Sequence, residues 1–86
     1  MDRIDKAIIR RSIIIDIQNE RKRQDKLWGE QNHKPTAWIP ILMEEVGEVC
    51  HEINEGYKRN GSYREELIQV ASVALQMLEC FDRNER

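Results

Sequence analysis

Apolar residues recur every three to four positions through three stretches of the chain, and none of the three alternates with the period of two that a half-buried strand needs. The first stretch covers residues 2 to 27, with Asp2 or Asp5 placed to cap it and Ile4, Ile8, Ile14, Ile15 and Ile17 along it. Its second half, residues 19 to 26, is highly polar. The run Ile13, Ile14, Ile15 has strand propensity, but charged helix formers flank it without turn signals, so the pattern predicts a helix packed on more than one side. A second helix is expected from Thr36, as N-cap, to about Tyr57. Pro40 is then tolerable in its first turn, and Leu42, Val46, Val49 and Ile53 form its buried stripe. A third is expected behind Ser62, with Glu65 as capping-box partner, to about Asp82. It runs through Leu67, Val70, Ala71, Val73, Ala74, Met77, Leu78 and Phe81 and is apolar almost all round. Residues 28 to 37 hold Gly29, Asn32, His33 and Pro35 without a period, and read as a loop long enough to be a site. A shorter break lies around Gly61.

Three helical patterns and no strand predict an all-α fold. With 86 residues there is one domain, 1–86, because so short a chain cannot split its apolar residues between two cores. A third helix apolar round most of its circumference needs covering on several sides, and two other helices cover it only partly. The expected architecture is an antiparallel helical hairpin from the second and third helices, with the N-terminal helix outside or across it. A second copy completes a four-helix-bundle-type oligomer, a homodimer or homotetramer.

Charge narrows the functions. Fourteen basic and sixteen acidic residues give a formal charge of −2, so no global positive field draws the chain to nucleic acid. With 35% charged residues, no apolar run of ~20 residues and no basic-then-apolar leader, the expectation is no membrane contact and a cytoplasmic protein. Cys50 and Cys80 lie in apolar stretches without metal-ligand spacing, and read as buried reduced thiols.

The residues that suggest chemistry are carboxylates. Glu45, Glu48 and Glu52 fall at i, i+3 and i+7 on the second helix, in one stripe, with Glu44 and Glu55 further round. Glu66 lines up with Val70, Val73 and Met77 on the third helix, and an antiparallel hairpin brings Glu48 or Glu52 toward it. Converging carboxylates repel one another unless a cation sits among them, and an all-oxygen set without nearby Cys or His favours Mg²⁺ or Mn²⁺ over zinc. Two bland readings compete: a solvated acidic face, preferred for Glu44 and Glu55, and a salt bridge from Glu66 to Arg64, Lys58 or Arg59.

The run Ile41-Leu-Met-Glu-Glu-Val-Gly-Glu-Val49, followed by Glu66-Leu-Ile-Gln69, resembles the MazG-like branch of the all-α nucleoside triphosphate pyrophosphohydrolases, whose signature is EExxE followed by ExxD. The lead-in Glu20-Arg-Lys-Arg-Gln-Asp-Lys-Leu-Trp-Gly-Glu-Gln-Asn-His33, with Trp38, is similar to that of small phage- or prophage-borne members, so the likeness covers residues 19 to 82. The resemblance implies a Mg²⁺-dependent hydrolase that cleaves a nucleoside triphosphate between the α and β phosphates, releasing the monophosphate and pyrophosphate. It implies Glu45, Glu48 and Glu66 as metal ligands, with one of these or Glu44 orienting or deprotonating the attacking water. Gln69 stands where the family has the aspartate of ExxD. Its amide oxygen can still serve a metal but brings no charge, which leaves open a catalytically silent nucleotide- or metal-binding homologue, or a purely structural helical oligomer. For the rest of the substrate, Trp28, Trp38 and His33 flank the loop as a possible stacking wall, although tryptophans in small helical proteins are more often core, and Trp38 sits where the helix start would bury it. Gln24 and Asn32 are candidates for a base edge, and Lys26, Lys34, Lys58, Arg59 and Arg64 for phosphates. His33 and His51 read as exposed rather than catalytic.

Overall fold

The computed structural model describes residues 5–56 and 62–84, and the expectations for Asp2, Ile4, Tyr57, Lys58, Arg59 and Gly61 lie outside them. The described residues are all-helical: α1 (Lys6–Trp28), α2 (Pro35–Asn54) and α3 (Tyr63–Asn84). Among them no helix is long and apolar enough to cross a membrane.

Each helix end has a local cause. Asp5 caps α1, its Oδ1 accepting from the Ala7 N–H at 2.9 Å. Gly29 closes it at φ 74°, where a side chain is strained, and donates its N–H to the Asp25 carbonyl at 2.8 Å. The second helix starts two residues earlier than the Thr36 cap predicts, with Lys34 in the cap position. Pro35 takes the first helical position, where its missing N–H costs nothing, and the Lys34 carbonyl accepts from Ala37 and Trp38 at 2.8 and 3.1 Å. Pro40 consequently lies inside the helix rather than at its edge. Gly56, at φ 105°, stops α2 before the predicted Tyr57. In α3 the Ser62 carbonyl accepts from the Glu66 N–H at 2.8 Å, closing the first turn.

The middle layer is α3, and it packs on both α1 and α2. Among the described residues the backbones of α1 and α2 make no contact with one another. The α2–α3 hairpin is antiparallel, with His33 beside Cys80 at one end. The α1 helix runs parallel to α3, so that Asp16 meets Arg64, Gln24 meets Gln69 and Gln31, just past α1, meets Gln76.

The two sides of α3 differ in kind. Toward α2 the fully buried hydrophobic residues are Trp38, Val73 and Cys80. Toward α1 the buried residues are polar: Arg21, Gln24, Ser72 and Gln76. Arg21 donates to Glu79 at 2.6 and 3.1 Å, to Asp25 at 2.9 Å and to Gln24 at 3.1 Å. Burial works against its charge, but Glu79 and Asp25 more than offset this and hold its pKa above the ordinary value. So α3 is not apolar all round: Gln69, Ser72, Gln76 and Glu79 form a polar stripe facing α1.

Several burial expectations change. Leu42, Val46 and Val49 are half-buried and Ile53 is exposed, because only one neighbouring helix covers α2. Ile13, Ile14 and Ile15 are exposed, since α1 reaches α3 only with its C-terminal half. Cys80 is buried but Cys50 is exposed on the side of α2 away from α3, and both are free thiols. Leu67, Leu78 and Phe81 stay open on the outer side of α3.

Candidate functional site

The 3.6-residue period of α2 turns Glu45 and Glu52 toward α3, where they are half-buried, and leaves Glu44 and Glu48 exposed along the edge. Opposite them, the first turn of α3 presents a half-buried Glu66. The electrostatics tie the two helices together. Burial raises the pKa of Glu45 above the ordinary carboxyl value, and the charges of Glu66, Glu44, Glu48 and Glu20 raise it further. Glu66 is raised in the same way, first by burial and then by Glu48, Glu52 and Glu65. Three helices thus direct negative charge at one region. Among the described residues no three His, Cys, Asp or Glu side chains lie close enough together to hold a metal ion. The donor set is all oxygen, which is the chemistry a hard divalent cation takes.

Glu20, on α1, is the member that sequence reasoning missed. Its carboxylate accepts from Arg23 at 2.9 and 2.7 Å and from Gln24 at 3.1 Å. The Arg23 hydrogen bond is the main influence holding its pKa below the ordinary value, with Gln69 and Gln24 adding to it. The signal was available in the spacing: Asp16, Glu20 and Gln24 follow one another at i, i+4 and i+8 along the polar half of α1.

Gln69 belongs to this same layer. Its amide oxygen accepts from Gln24 at 3.3 Å, and its amide acts on Glu20. Gln69 is thus engaged with α1. Beside it a polar cleft of about 320 Å³ lies between α1 and α3, with Asp16, Glu20, Arg23, Arg64 and Gln69 on its walls. Arg64 pairs with Asp16 at 2.8 Å rather than with Glu66.

The residues singled out for a substrate base do not converge. Trp28, the last residue of α1, is 66% exposed, whereas Trp38 is 2% exposed, with its ring edge against His33 at 4.7 Å. The indole N–H of Trp38 has no hydrogen bond of standard geometry. It lies by the Cys80 sulfur and is the first cause pulling that thiol's pKa below its ordinary value. His33, Trp38, Leu42, Met77 and Phe81 line an apolar cavity of about 590 Å³, and Trp28 is not part of it, because α1 and α2 flank opposite sides of α3. Asn32 spends its amide on the fold: it accepts from Arg83 at 2.9 Å and Asn84 at 2.8 Å and donates to Glu30 at 2.9 Å, pinning the 29–34 loop to the end of α3. Gln24 is 8% exposed and donates to both Glu20 and Gln69. Lys58 lies outside the described residues.

Compared with known protein families, curated proteins and solved structures, the chain shows no match.

Proposed function

We propose that the chain is a Mg²⁺-dependent nucleoside triphosphate pyrophosphohydrolase, working in the cytoplasm as a homodimer or homotetramer. The observation that carries this reading is the placement of Glu45 and Glu66: two half-buried carboxylates on facing helices, each raised in pKa first by burial and then by the acidic residues around it. Such a group is destabilising without a cation and becomes favourable with one. Glu45, Glu48 and Glu66, whose side chains stand apart in the metal-free chain, are the residues that would have to close on Mg²⁺ or Mn²⁺, with Gln69 and Glu20 at the neighbouring α1 seam. When bound, the metal neutralises phosphate charge and lowers the pKa of a water.

The chain's own residues do the rest. Glu44, exposed beside Glu45, or one of the metal ligands would take a proton from the attacking water. Arg23 and Arg64, now paired with Glu20 and Asp16, stand at the polar cleft with forked donors suited to phosphate oxygens. The open surfaces of Leu67, Leu78 and Phe81 are the ones a second hairpin would cover.

A second reading rests on a specific observation. Because the Gln69 amide is engaged by Gln24 and Glu20, a homologue that binds nucleotide or metal without turnover fits the same geometry.

The test is pyrophosphate release from a panel of ribo- and deoxyribonucleoside triphosphates with Mg²⁺ or Mn²⁺. The expected result is metal-dependent turnover that falls by a factor on the order of 10² or more in Glu48→Gln. No release from any triphosphate, together with a metal-dependent rise in melting temperature, selects the silent homologue; neither response removes both.

A further inference from the structure

The first half of α1 stands clear of the packed body of the described residues. Every residue from Asp5 to Ile15 is exposed; the body begins only at Asp16, paired with Arg64, and at half-buried Ile17. The helical part, residues 6 to 15, therefore projects by about 15 Å at the ordinary rise per residue. A segment this short, with five isoleucines among its ten residues, does not hold a helix by propensity alone, so it needs packing from outside.

Its apolar residues say what kind of packing. Ile9 and Ile13 continue the side that carries Ile17 and Gln24, while Ile8 and Ile15 lie on the opposite side, and basic residues run beside both rows: Lys6 and Arg10 beside the first, Arg11 beside the second. A helix that lies on a bilayer keeps one apolar and one polar face. This segment has no such division, and a helix apolar on opposite sides is one that protein buries.

The chain itself offers the matching surface. The side of α2 turned away from α3 carries exposed Ile39, Met43 and Cys50, with Gly47 beside them, where nothing crowds the backbone. Along that helix stand four glutamates and no lysine or arginine, and Glu44 and Glu48 are the exposed pair at the edge. The projecting segment has Lys6, Arg10 and Arg11 against Asp5, a net charge of +2. An apolar row edged with positive charge meets an apolar row edged with negative charge, the pairing that sets register between helices.

We propose that residues 5–15 form an exchange arm that docks on the outer face of α2 in a second copy of this chain. The inference does not rest on the hydrolase reading, and its readout involves no turnover. It also places Arg10 and Arg11 of one copy beside Glu44 and Glu48 of the other.

The experiment uses the full chain with Ser12 replaced by the photo-crosslinking residue p-benzoylphenylalanine, mixed with an isotope-labelled copy, irradiated and mapped by mass spectrometry. The crosslink, rather than the assembly mass, is the readout, because hairpin pairing through α3 would leave the mass unchanged. The expected product joins residue 12 of one copy to the 39–54 region of the other. Reversing Arg10→Glu and Arg11→Glu lowers its yield by about tenfold, and Glu44→Arg with Glu48→Arg in the acceptor copy restores it. Circular dichroism checks that the reversed chains remain helical. An arm-to-arm product, no product between copies, or a yield indifferent to charge reversal overturns the proposal. So does capture of the chain by phosphatidylserine vesicles at the expense of the crosslink.

Discussion

Replacing Arg21 with methionine tests whether the polar seam between α1 and α3 holds the first helix in place. Arg21 is 7% exposed, and its guanidinium makes four hydrogen bonds, two of them to Glu79 across the seam. Removing one partner of a fully buried ion pair costs about 3–5 kcal/mol, because it strands the other charge. Here the stranded charges are not fully buried: the side chains of Glu79 and Asp25 keep 39% and 55% of their exposure and rehydrate when the guanidinium leaves. What is lost is then mainly the pairing across the seam and the bond to buried Gln24, for about 2 kcal/mol. Methionine fills much of the arginine stem's volume, so little of that loss is a cavity. For a domain of this size the change lowers the melting temperature by about 8–16 °C, read by far-ultraviolet circular dichroism and checked by urea titration. Arg21→Lys recovers less than half, because a point charge cannot reach Glu79, Asp25 and Gln24 together. A loss under about 0.5 kcal/mol in Arg21→Met would refute the view that this residue docks α1.

Three further outcomes follow from the same geometry. Because the folded-state pKa of Glu66 lies above the ordinary 4.5, the folded chain holds that proton more tightly, and the stability it contributes is present below pH 4.5 and lost as pH rises through the folded value. Metal-free Glu66→Gln is therefore as stable as the parent at pH 4 and more stable at pH 7, by up to about 1 kcal/mol, while Mg²⁺ raises the melting temperature of the parent only. Gln69→Asp breaks the bond to Gln24 and adds a carboxylate beside Glu20, so it lowers metal-free stability by about 1 kcal/mol and enlarges the Mg²⁺-dependent rise. Trp38→Ala costs about 3–5 kcal/mol in urea titration, against less than about 0.5 kcal/mol for exposed Trp28→Ala.

The three helices were legible because periodicity and punctuation agree: Asp5 before the first, Gly29 after it, Ser62 before the third. The burial of Trp38 was legible too, since a large aromatic in the first turn of an apolar helix has little other place to go. What misled was the assumption that the apolar half of α1 is the packed half. The isoleucines stand outside, and the polar half lies in the seam, because α3 meets it with Gln69, Gln76 and Glu79, which satisfy what Arg21 and Gln24 need. A buried polar contact is invisible in one segment alone; it shows only when both stripes are read together. For the candidate site, the spacing pointed to Glu45 and Glu66, which the surrounding carboxylates act on, while the part played by Glu20 depended on how α1 lies on α3.

That division between a greasy interface and an amide-and-guanidinium one also separates their thermodynamics. Undocking α1 hydrates polar groups and little hydrocarbon, so its heat-capacity change is near zero and its opening free energy runs almost straight with temperature instead of curving. Taking α2 from α3 exposes Trp38 and Val73 and carries the large heat-capacity change of ordinary unfolding. Amide hydrogen exchange should accordingly see α1 leave as a separate unit, in a partial opening that calorimetry scarcely registers.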